Sequence, residues 1–160
     1  MADARDANRE ILRLQIEDLW GKGRVELIDQ LYTDDVTDHM PLPGQPPGVS
    51  GLRQVVEQFH AALPDLQITV HGVLAEEDRA LDFWTLEATH TGEVMGLAPT
   101  GNRIRFSGID MVRIRDGRIS DIWHVEELLQ MIVQMGGDPV AFGRPLAAAP
   151  QAGADTGAGE

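Results

Sequence analysis

The chain has 160 residues, with 13 Lys and Arg against 26 Asp and Glu for a net charge of −13; so acidic a chain repels phosphate, which argues against nucleic acid and anionic membrane surfaces as partners. Hydrophobic residues make up 42% and charged residues 24%, enough to build the core of one soluble domain. Cysteine is absent, which excludes disulfides, zinc–thiolate sites, iron–sulfur clusters and cysteine nucleophiles.

The opening "MADARDANRE" is polar and lacks the apolar centre of a secretion signal, so a cytoplasmic location is expected. Residues 6–20, "DANREILRLQIEDLW", carry Ile11, Leu12, Leu14, Ile16, Leu19 and Trp20 at helical spacing. "GKG" ends that helix, and "RVELIDQLY" predicts a second, shorter one. "TDDVTDHMPLPGQPPGVS" reads as a loop, since prolines and glycines crowd residues 41–48. Ser50 is expected to cap a helix, "GLRQVVEQFHAAL", with Leu52, Val55, Val56 and Phe59 on one face; Pro64 stops it.

The pattern then changes to strands. "LQITVHGVLAEED" is followed, after a turn near Glu77 and Asp78, by "RALDFWTLEATHTG". "NRIRFSGIDMVRIR" and "RISDIWHV" are joined by a turn at Asp116-Gly117. A last helix runs from Glu126 to about Met135. Helices followed by an antiparallel meander predict an α+β fold, one sheet curled around the helices, over residues 1–142. Residues 143–160, "GRPLAAAPQAGADTGAGE", have little to bury and predict a disordered tail.

Residues 89–136 contain "HTG", then "GLAPTG", "FSG", "RDGRI", and a Trp-led strand end running into "LLQMIVQMG"; "YTDDVTDHMP" follows the first two helices. In these parts the chain resembles the SnoaL-like polyketide cyclases of the nuclear transport factor 2-like superfamily, over roughly residues 8–138. The resemblance implies a cone-shaped α+β barrel with a deep apolar pocket, homodimeric through the outer face of its sheet. It implies an enzyme that closes a ring by intramolecular aldol reaction of a polyketide ester, without a cofactor. Relatives include polyketide hydroxylases, epoxide hydrolases and non-catalytic small-molecule binders, and the scaffold by itself does not choose among them. In the cyclases an aspartate acid/base stands where this chain has His124, and a histidine stands where it has Asp110; the two residue types are exchanged here.

An aldol closure needs a base to take a proton from carbon beside a carbonyl and an acid to protonate the new alkoxide. Histidine, with an ordinary pKa of ~6.5, suits both steps. His124 is therefore the candidate acid/base, with Asp110 as the carboxylate that orients it. Turn geometry decides whether the two meet. A two-residue turn at Asp116-Gly117 would set Asp110 opposite Trp123, with His124 on the other face. A three-residue turn with a left-handed Gly117 would set Asp110 opposite Ile122 and diagonal to His124, on one face, and this bulged turn is the expectation.

His90, at the end of a strand with an apolar face, is a candidate carbonyl donor, and His39 a candidate at the pocket rim. Trp20, Trp84, Phe59, Phe106 and Met95 are candidates for an apolar wall around a flat ligand. His60 and His71 read as structural. No HxH or HxxxH occurs, and the acidic cluster Asp34, Asp35 and Asp38 lacks a calcium-loop pattern, so no metal site is expected. Convergence of Arg103 or Arg105 on Asp110 would instead favour a hydrolase. A pocket filled by side chains would favour a binding module.

Overall fold

The structure, a computed structural model, describes residues 4–142, so the expected tail at 143–160 lies outside the described residues. Helix α1 spans Ala4–Arg13 and continues as a π-helix over Leu14–Trp20. A 3-10 turn, Val25–Leu27, leads into the short α2, Ile28–Leu31. Strand β1, Tyr32–Asp38, and helix α3, Gly48–Ala62, follow. Strands β2 (Gln67–Glu76), β3 (Arg79–Thr89), β4 (Arg103–Arg115) and β5 (Arg118–Glu126) then form the meander, and α4 (Leu128–Gln134) and α5 (Pro139–Phe142) close the described chain. No described helix is long and apolar enough to cross a membrane.

The five strands form one sheet in the order β1-β5-β4-β3-β2, antiparallel throughout except for the parallel β1–β5 pair. Its inner face carries alternate apolar residues. Ala80, Trp84, Leu86 and Ala88 of β3 and Ile104, Phe106 and Val112 of β4 are buried against Leu12, Ile16 and Leu19 of the first helix and Val55, Val56 and Phe59 of α3. The outer face leaves Leu74, Phe83, Ile109 and Val125 exposed.

Three expectations about local structure are corrected. The stretch after α2 is not wholly loop: its first third is β1, held by parallel pairing to β5 with Asp38 opposite Ile122. "TDDVTD" has little strand character of its own, and only the neighbouring strand extends it. Ser50 does not cap α3 either. The cap position is Pro47, and Ser50 lies in the first turn, donating its hydroxyl proton to the Pro47 carbonyl.

The β4–β5 turn is also different from the bulged turn expected, yet it delivers the same face. Arg115 pairs with Arg118, so Asp116 and Gly117 form a two-residue turn, both at positive φ (51° and 76°). The extra residue sits further along β5: Ile114 pairs with Ile119 and Arg113 with Asp121, which leaves Ser120 as a β-bulge. One inserted residue reverses the facing of everything beyond it. Asp110 consequently stands directly opposite His124, and both point into the cone.

Candidate active site

The interior of the cone is a cavity whose walls are mostly apolar: Ile16, Trp20, Leu52, Val55, Phe59, Trp84, Leu86, Phe106 and Met131. Its polar lining is a short list of Gln15, Asp38, Gln45, Asp110, His124 and Glu126. An apolar chamber with a few convergent polar groups is the usual form of a small-molecule site. Of the residues expected around a ligand, Trp20, Phe59, Trp84 and Phe106 line it together with His124 and Asp110.

Three expected residues lie elsewhere. His39 follows Asp38 at the end of β1 and turns outward, where its ring stacks on Trp123 at 4.3 Å and its Nε2 meets Asp121 at 2.9 Å. His90 is fully buried, but behind the wall, with Nδ1 3.1 Å from the Thr100 hydroxyl. Met95, at positive φ in the turn between Val94 and Leu97, borders a separate shallow groove with Pro43 and Gln58. Arg103 and Arg105 face outward to Asp65 and Glu87, so neither meets Asp110, and among the described residues no arginine lines the cavity.

His124 is held by carboxylates other than the one expected. Its Nδ1 lies 2.5 Å from Glu126 and its Nε2 3.1 Å from Asp38. With both ring nitrogens facing acceptors, both must carry protons, and the ring is an imidazolium. Burial by itself lowers its pKa, but the hydrogen bonds to Asp38 and Glu126 and their charges outweigh that and raise it to about 10. Asp38 shows the complementary balance. Burial raises its pKa, yet the bonds it accepts from His124, the Met40 backbone N–H and the Gln45 amide hold it below the ordinary value.

Asp110 behaves oppositely. It is 6% exposed, and burial raises its pKa above the ordinary carboxylate range. The His124 charge and the nearby Trp84 indole N–H pull it back in part, while Glu126 and Asp38 push it up again. That indole N–H makes no hydrogen bond of good geometry, and the Gln15 Oε1 likewise has no partner. The cavity thus contains a fixed cation, a carboxyl group displaced toward neutral pH, and a spare donor and acceptor.

Gln15 and Gln45 were not singled out from the sequence, and Asp38 was considered only in an acidic cluster without a calcium-loop pattern, not as a partner of His124. Gln15 carried a signal, being the polar residue on the Leu12, Ile16, Leu19 face of a helix; the π-helical turn holds it at the cavity. Asp38 carried none, because its place depends on β1. Trp84 owes its position to Gly108, its cross-strand partner: a Cβ there would stand 2.3 Å from the indole. Gly108→Ala is expected to displace Trp84 and cost about 1–3 kcal/mol, the usual range for overpacking, read as a lower midpoint in urea unfolding.

Comparison with known proteins agrees with this architecture. The family model for SnoaL-like polyketide cyclases matches residues 10–135. No curated protein compared matches the sequence. Among solved structures, a candidate polyketide cyclase from Bacillus cereus ATCC 10987 is 27% identical, with a TM-score of 0.67 over 76% of each chain. AclR, a candidate hydroxylase from Streptomyces galilaeus, is 29% identical, with a TM-score of 0.70 over 83% of this chain and 87% of its own. IdmH, a candidate polyketide cyclase from Streptomyces antibioticus, is 27% identical, with a TM-score of 0.66 over 79% and 96%. The fold is the nuclear transport factor 2-like cone, and with its meander and its cavity lining both inside the matched region, the chain belongs to the SnoaL-like polyketide cyclase family.

Proposed function

We propose that the protein closes a ring in a polyketide-like carbonyl compound by intramolecular aldol addition, with Asp110 as the proton-transfer group and His124 as a fixed positive charge beside it. The observation that carries this reading is the pairing of the two across β4 and β5 on the floor of an apolar cavity. It exchanges the roles expected from sequence. An imidazolium whose two N–H groups are already committed to Asp38 and Glu126 has no vacant nitrogen with which to take a proton. A carboxyl group raised toward neutrality can both take and return one.

The steps balance without a cofactor. The Asp110 carboxylate removes a proton from carbon beside one carbonyl. The resulting enolate carbon attacks a second carbonyl of the same molecule, a carbon–carbon bond forms, and the alkoxide takes the proton back from Asp110. The positive His124 stabilises the enolate and then the alkoxide, and the unpartnered Trp84 N–H is a donor for the enolate oxygen. Gln15 Oε1 would accept from a substrate hydroxyl. The open interior is about 90 Å³, small beside the ~300–1,000 Å³ of drug-sized sites, so a fused-ring substrate enters by displacing the partly exposed wall residues Leu42, Gln45 and Leu128.

The test is incubation with an aromatic polyketide ester bearing an unreacted ketone, followed by mass spectrometry. The expected product has the mass of the substrate, and in deuterated water its α-carbon exchanges. Asp110→Asn should reduce turnover about 10²- to 10⁴-fold. A product heavier by one oxygen, formed only with oxygen and a reductant, would replace this reading with a hydroxylase. One heavier by a water would replace it with a hydrolase.

A further inference from the structure

Asp82 lies outside the cavity lining and has no part in the scheme above, yet it is a carboxylate with no exposed surface. It is the direct cross-strand partner of Asp110 on β3 and points to the same inner face. One of its oxygens accepts the Asp110 backbone N–H at 3.3 Å; the other is enclosed and has no partner. An ionised carboxylate so poorly solvated is costly, and two directly opposed negative charges add to the cost.

We propose that Asp82 is a positioning residue for the active site: sealed behind Asp110, it confines the pair to a single negative charge, so that Asp110 can ionise for proton abstraction only while Asp82 remains a neutral acid. The other groups facing Asp110 do not replace this role. Asp38 and Glu126 are engaged by His124, and the Tyr32 hydroxyl, buried and without a hydrogen-bond partner, has its own ionisation suppressed by burial and by the Asp110, Asp38 and Asp82 charges. Burial, and then the Asp110 charge, raise the Asp82 pKa, while the Asp110 N–H lowers it in part. A strongly interacting pair loses its protons in two steps that belong to both members. The second step forms the buried dianion only above the working range, where the added negative charge opposes the forming enolate and sets an alkaline limit on the site.

The consequence for turnover rests on Asp110 as the proton-transfer group; the pairing does not. The experiment is a carboxyl carbon-13 NMR titration of the full chain, with Asp110 assigned by its loss in Asp110→Asn, alongside kcat/KM against pH. Wild type should titrate in two coupled steps. Asp82→Asn should leave one step for Asp110 and move the alkaline limb of kcat/KM upward by about one pH unit or more. Asp82→Leu removes the charge without the amide and should do the same, which keeps the test open if one variant fails to fold. Two steps persisting at Asp110 in either variant, or an alkaline limb that does not move, would overturn the proposal. A single step in the Asp82 variants together with full turnover in Asp110→Asn would leave the pairing intact and reject the catalytic role of Asp110.

Discussion

Replacing His124 by alanine is expected to lower kcat about 10²- to 10³-fold, the usual loss when one preorganised stabiliser of a developing oxyanion is removed. The effect has two sources. The fixed cation disappears from beside the enolate and alkoxide, and Asp110 loses a neighbouring charge that favours its ionised form. The acidic limb of the pH–rate profile should therefore move to higher pH in His124→Ala. That shift separates an electrostatic role from simple loss of structure, which would reduce rates at all pH values alike. The variant also leaves Asp38 and Glu126 without the cation between them. Circular dichroism should be recorded to establish that the fold persists. Unchanged kcat in a folded variant would dismiss the imidazolium from the mechanism.

Stability should fall as the solution is made alkaline, and by more than the acid side shows. Asp82, Asp110 and His124 all have folded-state pKa values raised above their unfolded ones. A raised group contributes most below its unfolded pKa and loses that contribution as pH climbs to the folded value. For the two aspartates the loss begins near ~3.9, and for His124 near ~6.5, ending at about 10. Asp38, whose pKa is depressed, works in the other direction and gives up its contribution only as pH falls below ~3.9. The urea midpoint should thus be highest on the mildly acidic side and decline steadily from neutrality to about pH 10. The decline should be shallower in His124→Ala and in Asp82→Asn. A wild-type midpoint that is level from neutrality to about pH 10 would mean that these groups are not held in the proton states described.

Much of the fold was legible in the sequence because the interactions that specify it are local. The alternation of apolar residues along β2 to β5, the helical spacing at Leu52, Val55, Val56 and Phe59, and the Asp116-Gly117 turn each report on neighbours a few residues apart. The apolar wall was legible for the same reason. Trp20, Phe59, Trp84 and Phe106 lie on the buried faces of elements whose periodicity exposes them to view.

The charged floor of the cavity was not decided at that level. The sequence determined that His124 ends a strand and that Asp110 occupies the strand before it. Whether they share a face depended on the Ser120 bulge, a property of two strands in register rather than of either alone. The partners of His124 depended on β1, a polar segment made into a strand by parallel pairing with β5, from more than eighty residues away in the Tyr32–Ile119 pair. Only the folded sheet brings Asp38 to the imidazole and sets Asp82 behind Asp110. Proton states follow from burial and from opposed charges, and both exist only once distant strands have closed around a common interior.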